Sequence, residues 1–273
     1  MGIRGEAAMS GAIDRPAEIG EYDEGMQALL QLVWGDGYLS PGGPEEVARL
    51  LQGSDIAGCR VLDIGCGLGA VDELLIQAHG AGHVTGIDLE PDLIAKARVR
   101  IAQAQLSDRI ELIQVSPGRL PFTDASFDVV FSKDSLVQIP DKVALFTEVR
   151  RVLVGGGRLI ASDWLRGGSG PYSTQMLEYF RLEGITYNMA SALDTAKTLA
   201  EAGFVDAVLS DRNAWYLALA QTEAQSMRTE WFPLLEKRLG IERARHFVTN
   251  WEQLVLVLQS GELRPTHLKA TRP

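Results

Sequence analysis

The nine residues Val61-Leu62-Asp63-Ile64-Gly65-Cys66-Gly67-Leu68-Gly69 limit what this chain can fold into more than any other stretch. A short apolar run ends in glycines at alternate positions, and a helical pattern begins directly after them. Glycine lets the backbone turn sharply and approach a ligand closely, and the N-terminus of the following helix offers free N–H groups. Asp63 stands two residues before the first glycine, where a carboxylate reaches a ligand's amino group directly or through water. Asp88 closes the next apolar run, in Gly86-Ile87-Asp88-Leu89-Glu90. An acid at that place holds both hydroxyls of a ribose. The Gly-x-Gly-x-Gly spacing lacks the longer gap of the dinucleotide fingerprint, which favours a nucleoside without a pyrophosphate.

Short apolar runs bounded by turn residues predict strands over 60–64, 83–88, 109–115, 127–132 and 158–163. Between them, apolar residues at helical spacing predict helices through Leu74 and Leu75, through Leu93, Ile94 and Ala97, and through Phe146 and Val149. The glycine run 155–157 is expected to close the last of these. Strands alternating with helices of this length build βαβ units. The expected class is therefore α/β, a Rossmann-like and mostly parallel seven-stranded sheet with helices on both faces.

Segments 204–210 and 264–272 supply the last two strands. Two long helical patterns separate them, the first interrupted by Pro233 and the second running through Phe247, Trp251, Leu254 and Leu258. Helices inserted before a final strand lie over the sheet as a lid. The expected organisation is a flexible N-terminal arm over 1–20, N-terminal lid helices over 21–52, an α/β core over 53–212, a helical lid over 213–263 and the final core strand over 264–273.

Composition narrows the partners. A formal net charge of −10 with no basic cluster argues against nucleic acid, and no sustained apolar run indicates a membrane span or a secretory signal. Met1-Gly2 lacks the Ser or Thr that a myristoylation signal wants at position 6, where Glu6 stands. Cys59 and Cys66 are too few for a disulfide framework, so reduced thiols and a cytoplasmic location are expected. No metal-ligand spacing is visible, and His79, His83, His246 and His267 fall outside the motifs.

The glycine turn with Asp63 and Asp88 resembles the class I S-adenosylmethionine-dependent methyltransferases from about Tyr22 to the end of the chain. The resemblance implies S-adenosyl-L-methionine as cofactor and S-adenosyl-L-homocysteine as its product, with no metal. It implies cofactor contacts at Asp63, Gly65, Gly67, Asp88, Leu89, Ser116, Pro117 and Lys133. Ser116 stands where the family often carries an acid against the adenine amino group. Two further stretches, Glu21-Tyr22-Asp23-Glu24-Gly25 with Trp34 to Gly43, and Phe131 to Lys142, resemble the phosphoethanolamine N-methyltransferases and their sarcosine and dimethylglycine relatives. In that family the segment carrying Tyr38, Leu39 and Ser40 closes over the cofactor.

The chain departs from that family at the substrate end. Gln138 occupies the place of the catalytic histidine, four residues after Asp134, and the basic residues that hold the substrate phosphate lack clear counterparts. An apolar run surrounds Leu254, Glu183 falls in the middle lid helix, and Arg181 is the nearest substitute. What remains is aromatic and acidic. Trp34, Trp164, Tyr179 and Tyr187 are expected to bind the acceptor, since aromatic faces attract cations by about 0.5–2 kcal/mol. Asp134, Tyr22 and Gln138 are the catalytic candidates, Asp134 to orient an amine or accept its proton and Tyr22 to help close the site. The expected reaction is in-line methyl transfer to a small-molecule amine, by a monomer or homodimer. The alternatives are C- or O-methylation of a hydrophobic natural-product scaffold and, in another class, an NAD-dependent oxidoreductase or a non-catalytic cofactor-binding module.

Overall fold

The computed structural model describes residues 22–184 and 187–273; the arm expected over 1–20 lies outside the described residues. Two helices come first, α1 (Glu24–Trp34) and α2 (Gly43–Leu51). Asp23 starts α1, its carboxylate accepting from the Met26 N–H at 2.8 Å, and Gly35 at φ +101° ends it. The alternating core follows as β1 (Arg60–Ile64), α3 (Ala70–Gln77), β2 (His83–Asp88), α4 (Pro91–Gln103), β3 (Ile110–Gln114), β4 (Phe127–Lys133), α5 (Lys142–Val152) and β5 (Leu153–Arg166). A short 3-10 turn, Leu136–Gln138, leaves β4.

The glycine run 155–157 does not close a helix. It lies inside β5, which begins at Leu153 opposite Phe127, while the Gly156 N–H donates to the Arg272 carbonyl. Backbone partners remote in sequence outweigh the local tendency of glycine to cap a helix. Beyond β5 come α6 (Thr174–Glu183), α7 (Ala192–Glu201), β6 (Val205–Asp211), α8 (Asn213–Arg228), α9 (Phe232–Leu239), α10 (Ile241–Gln259) and β7 (Leu263–Thr271). Pro233 sits in the first turn of α9, where its missing N–H costs nothing, and Gly240 at φ +84° separates α9 from α10.

The seven strands run in the order β3-β2-β1-β4-β5-β7-β6, parallel except for β7, which pairs antiparallel with both β5 and β6. Successive residues of the central strands feed opposite faces. Val61, Val129 and Ile160 join Leu50, Leu75 and Ile94 on one side, and Leu62, Val130 and Leu159 join Phe146, Val149 and Leu268 on the other. A third apolar cluster joins α1 to α6, α8, α9 and α10 through Leu29, Tyr179, Tyr216, Phe247 and Trp251. Strand order reverses between β1 and β4, and in open α/β sheets the crevice at that point, outside the carboxyl ends of the strands, is where ligands bind.

Candidate active site

The glycine turn leaves β1 at this crevice. Gly65, Gly67 and Gly69 have φ of +81°, +55° and +80°, a region in which side chains are strained. A Cβ at Gly65 would collide with the Ser135 side chain, and one at Gly69 would lie 3.2 Å from the Ala97 methyl. The Asp88 carboxylate ties the turn to α4, accepting from the Gly67 N–H at 2.9 Å and the Glu90 N–H at 3.0 Å. Each oxygen keeps a second lone pair for a ligand. Leu89, Ser116 and Pro117 are exposed just beyond the carboxyl ends of β2 and β3.

Asp63 is 2% exposed at the end of β1, and its Oδ1 has no hydrogen-bond partner. Burial, and then the charge of Asp88, push its carboxyl up to about 8. Behind it, on the first turn of α3, Asp72 is completely buried with neither oxygen partnered, and burial followed by the Asp63 charge raises its carboxyl well above the usual range. An acid in the first turn of a helix is ordinary in sequence, so nothing marked Asp72 beforehand. A buried carboxylate without a donor is costly, and a bound ammonium supplies donors and charge at once. That donor requirement fits the amino-acid end of S-adenosylmethionine.

At the end of β4, Asp134 takes the left-handed conformation at φ +59°. Its oxygens accept from the Ser162 hydroxyl and from the Lys133 ammonium, each at 2.7 Å. Lys133 also donates to the Ser40 hydroxyl at 3.0 Å and the Pro41 carbonyl at 2.8 Å, which engages all three of its N–H groups. The lysine thus fastens the segment after α1 to the sheet. That segment also reaches the glycine turn, since a Cβ at Gly67 would lie 3.3 Å from Leu39. Tyr38 lies beside it, its phenol raised by partial burial and then by the charge of Glu73.

Next to Asp134 opens a cavity of about 60 Å³, to which Tyr22, Trp34, Gln138, Trp164, Tyr179 and Tyr187 all contribute. Leu39, Ser40 and Asp134 complete its sheet side. The structure therefore brings together every acceptor-side residue expected from sequence, whereas Asp63, Gly65, Gly67 and Asp88 do not line this cavity. Arg181 is not at the site; it pairs with Glu178 at 2.6 Å on the surface.

Several lining residues were not singled out for the site, among them Tyr216, Asn250 and Trp251. The Trp34 and Trp251 indoles donate to opposite oxygens of buried Glu223, at 2.9 and 3.0 Å. Burial raises the Glu223 carboxyl. Tyr179 stacks with Tyr187 at 6.1 Å, and Trp164 meets Tyr216 edge-on at 5.2 Å. Tyr216, Asn250 and Trp251 come from α8 and α10, distant in sequence from the rest of the site, and no local pattern marks them for it. Asp163, pushed up to about 7 chiefly by burial, accepts from the Val137 N–H at 2.8 Å and so steadies the turn that carries Gln138.

Glu46 of α2 is gripped by the Arg212 guanidinium, whose Nε and one terminal nitrogen donate to its two oxygens at 2.9 and 2.7 Å, and by His267 of β7 at 2.7 Å. That histidine serves the fold, and His246 contacts the Leu182 carbonyl at 2.9 Å. Among the described residues no group of three His, Cys, Asp or Glu side chains is arranged to hold a metal ion, and no helix is long and apolar enough to cross a membrane.

A family model described as a methyltransferase domain matches residues 55–178. Phosphoethanolamine N-methyltransferase 1 of Arabidopsis thaliana is 31% identical over 224 residues, which cover 77% of this chain and 44% of that protein. Methyltransferase GfsG of Streptomyces halstedii is 31% identical over 190 residues, covering 64% of this chain and 67% of that one. Among solved structures, Haemonchus contortus phosphoethanolamine N-methyltransferase 2, in complex with phosphomonomethylethanolamine and S-adenosylhomocysteine, superposes with a TM-score of 0.80 at 23% identity, over 89% of this chain and 56% of that one. The chain spans less than half the length of the plant relative. The glycine turn, the strand order and these similarities agree, and the chain belongs to the class I S-adenosylmethionine-dependent methyltransferases.

Proposed function

We propose that the chain methylates a nitrogen of a small, unphosphorylated amine. The observation that carries this reading is the cavity beside the glycine turn. Its walls are aromatic and acidic, and among the described residues no Lys, Arg or His lines it. The names of the relatives supply the N-methyl chemistry; the missing basic side chains set the phosphate aside.

Asp63 would hold the amino-acid end of the cofactor, Gly65 and Gly67 would back it, Asp88 would take the ribose, and Leu89, Ser116 and Pro117 would flank the adenine. Tyr38, Leu39 and Ser40 would cover it, held down by Lys133. When bound, the cofactor supplies an electrophilic methyl on a sulfonium. The protein's part is alignment and exclusion of water, which for a well-oriented pair accounts for about 7–11 kcal/mol of the barrier. Each oxygen of Asp134 accepts one bond and keeps a second lone pair, with which it orients the amine, which arrives neutral. Gln138 supplies an amide in place of an imidazole and positions without taking a proton. Tyr22 and the four acceptor-side aromatics, Trp34, Trp164, Tyr179 and Tyr187, enclose the amine. The reading extends to a cytoplasmic enzyme acting as monomer or homodimer, supported by two cysteines outside any disulfide.

Calorimetric titration with S-adenosylhomocysteine and NAD, followed by labelled methyl transfer to amines, phosphoethanolamine, phenols and terpenoids, tests this. Binding of the sulfur nucleoside alone and label on amine nitrogen are expected. Label confined to phosphoethanolamine, or to oxygen or carbon, overturns the reading.

A further inference from the structure

The wall formed by α6, α8 and α10 contains two buried polar atoms without a hydrogen-bond partner. Asn250 is 3% exposed, and its Nδ2 donates to Glu183 Oε2 at 2.6 Å. That bond fixes which way the amide points, because the reversed amide would press oxygen against carboxylate. The Asn250 Oδ1 has no hydrogen-bond partner, and neither does the hydroxyl of Tyr216, which is 0% exposed. Both residues line the cavity, as does Glu183. An amide oxygen can only accept, so the missing partner of Asn250 is a donor, N–H or O–H. Leaving such an atom dry is costly, and a ligand carrying the donor recovers that cost.

Which end of the acceptor brings that donor follows from the fold. The reacting nitrogen has to sit at the sheet edge, near Asp134 and the glycine turn. Asn250 and Glu183 belong to the helical layer instead, on α10 and α6. A nitrogen that keeps its proton has no lone pair for a methyl group, so the group held by the helical wall is not the nucleophile. With Asp134 and Glu183 the ionisable side chains among those described in the lining besides its tyrosines, a cation suits this wall and an anion does not.

We propose that Glu183, Asn250 and Tyr216 form a subsite for a second, non-reacting cationic N–H group, so that the preferred acceptor is a small diamine or guanidino-amine. Glu183 acts here as the positioning residue for the Asn250 amide. The inference rests on the N-methylation reading, and the two fail separately.

The test compares 1,3-diaminopropane, 3-aminopropanol and propylamine, which share one reacting amine and differ at the far end. Calorimetry on the S-adenosylhomocysteine complex is expected to show the diamine binding at least tenfold tighter than either of the others, and steady-state methylation to show the same order in KM more than in kcat. Asn250→Leu and Glu183→Gln should bring the diamine-to-monoamine ratio close to one while S-adenosylhomocysteine affinity stays within about twofold, which shows a folded protein. Equal binding of diamine and propylamine overturns the subsite. So does an amino alcohol as tight as the diamine, which would mean a donor without charge. A ratio unchanged in both variants overturns the assignment to these residues. If no amine is methylated, the N-methylation reading falls, and the binding comparison still decides the subsite.

Discussion

The cofactor side and the acceptor side of the crevice are built from different materials. The cofactor side rests on backbone shape: three left-handed glycines, two strand ends and a carboxylate that caps the turn, all between Asp63 and Glu90. The acceptor side rests on side chains, brought from Tyr22, Trp34, Asp134, Trp164, Tyr179, Tyr216 and Asn250 by separate elements. A backbone device tolerates almost no substitution but leaves a compact pattern in sequence. A side-chain chamber can change its ligand one residue at a time and leaves no pattern.

If that contrast is right, damage should stay on its own side. Gly65→Ala is expected to have the largest effect, because it adds about 1–3 kcal/mol of backbone strain to a collision with Ser135. Affinity for S-adenosylhomocysteine should fall at least a hundredfold by calorimetry, with the tryptophan near-ultraviolet dichroism of the chamber retained. Wild-type affinity would show that the turn gives way easily, and the contrast would break.

Glu223→Leu should be next. It strips the partner from two indole N–H groups, and each one left buried and unpaired costs about 1–3 kcal/mol. Melting temperature should drop by several degrees and acceptor KM should rise about tenfold or more, while cofactor affinity stays within about threefold. An equal loss of cofactor affinity would mean that the two sides are one unit.

The smallest effect is the share of the pH dependence that Asp63 contributes. The Asp63 carboxyl stands at about 8 in the folded protein, above the value near 3.9 of an unfolded chain, so the folded state binds more protons between those two values. Its contribution is complete below about pH 4, drains away as pH rises through the folded value, and leaves the ligand-free protein less stable at pH 8 than at pH 5. Melting temperature across that window should slope downward, and Asp63→Asn should make the slope shallower, with Asp72 and Asp163, also raised by burial, carrying the rest. A slope unchanged in the variant would assign it to other groups.

The same contrast explains what the sequence made legible. The alternation of strands and helices, the glycine turn and Asp88 are local patterns, and all appear in the fold where periodicity placed them. The run 155–157 misled because its strand partners, Phe127 and the stretch ending at Arg272, lie far off in the chain. Trp164 was reachable because it directly follows the predicted strand 158–163, whereas Trp34 and Tyr179 lie on helices and Tyr187 in a connection, where only their aromatic character marks them. Asn250 was not, since a polar residue between Phe247 and Leu254 reads as the solvated side of an amphipathic helix. Its burial comes from α6 packing over α10, and no spacing within either helix announces that contact.

The grip of His267 and Arg212 on Glu46 has a further consequence, for the order in which the molecule can be made. Residues 46 and 267 are 221 positions apart, and His267 lies on the last strand. Domains fold as units during synthesis, N-terminal first, at about 5–20 residues per second. The helix bearing Glu46 is made first, and its histidine partner is absent until 221 further residues have been translated. A nascent chain therefore cannot complete this anchor before β7 is made, and truncation before β7 would leave an acidic side chain built for burial without one of its two partners.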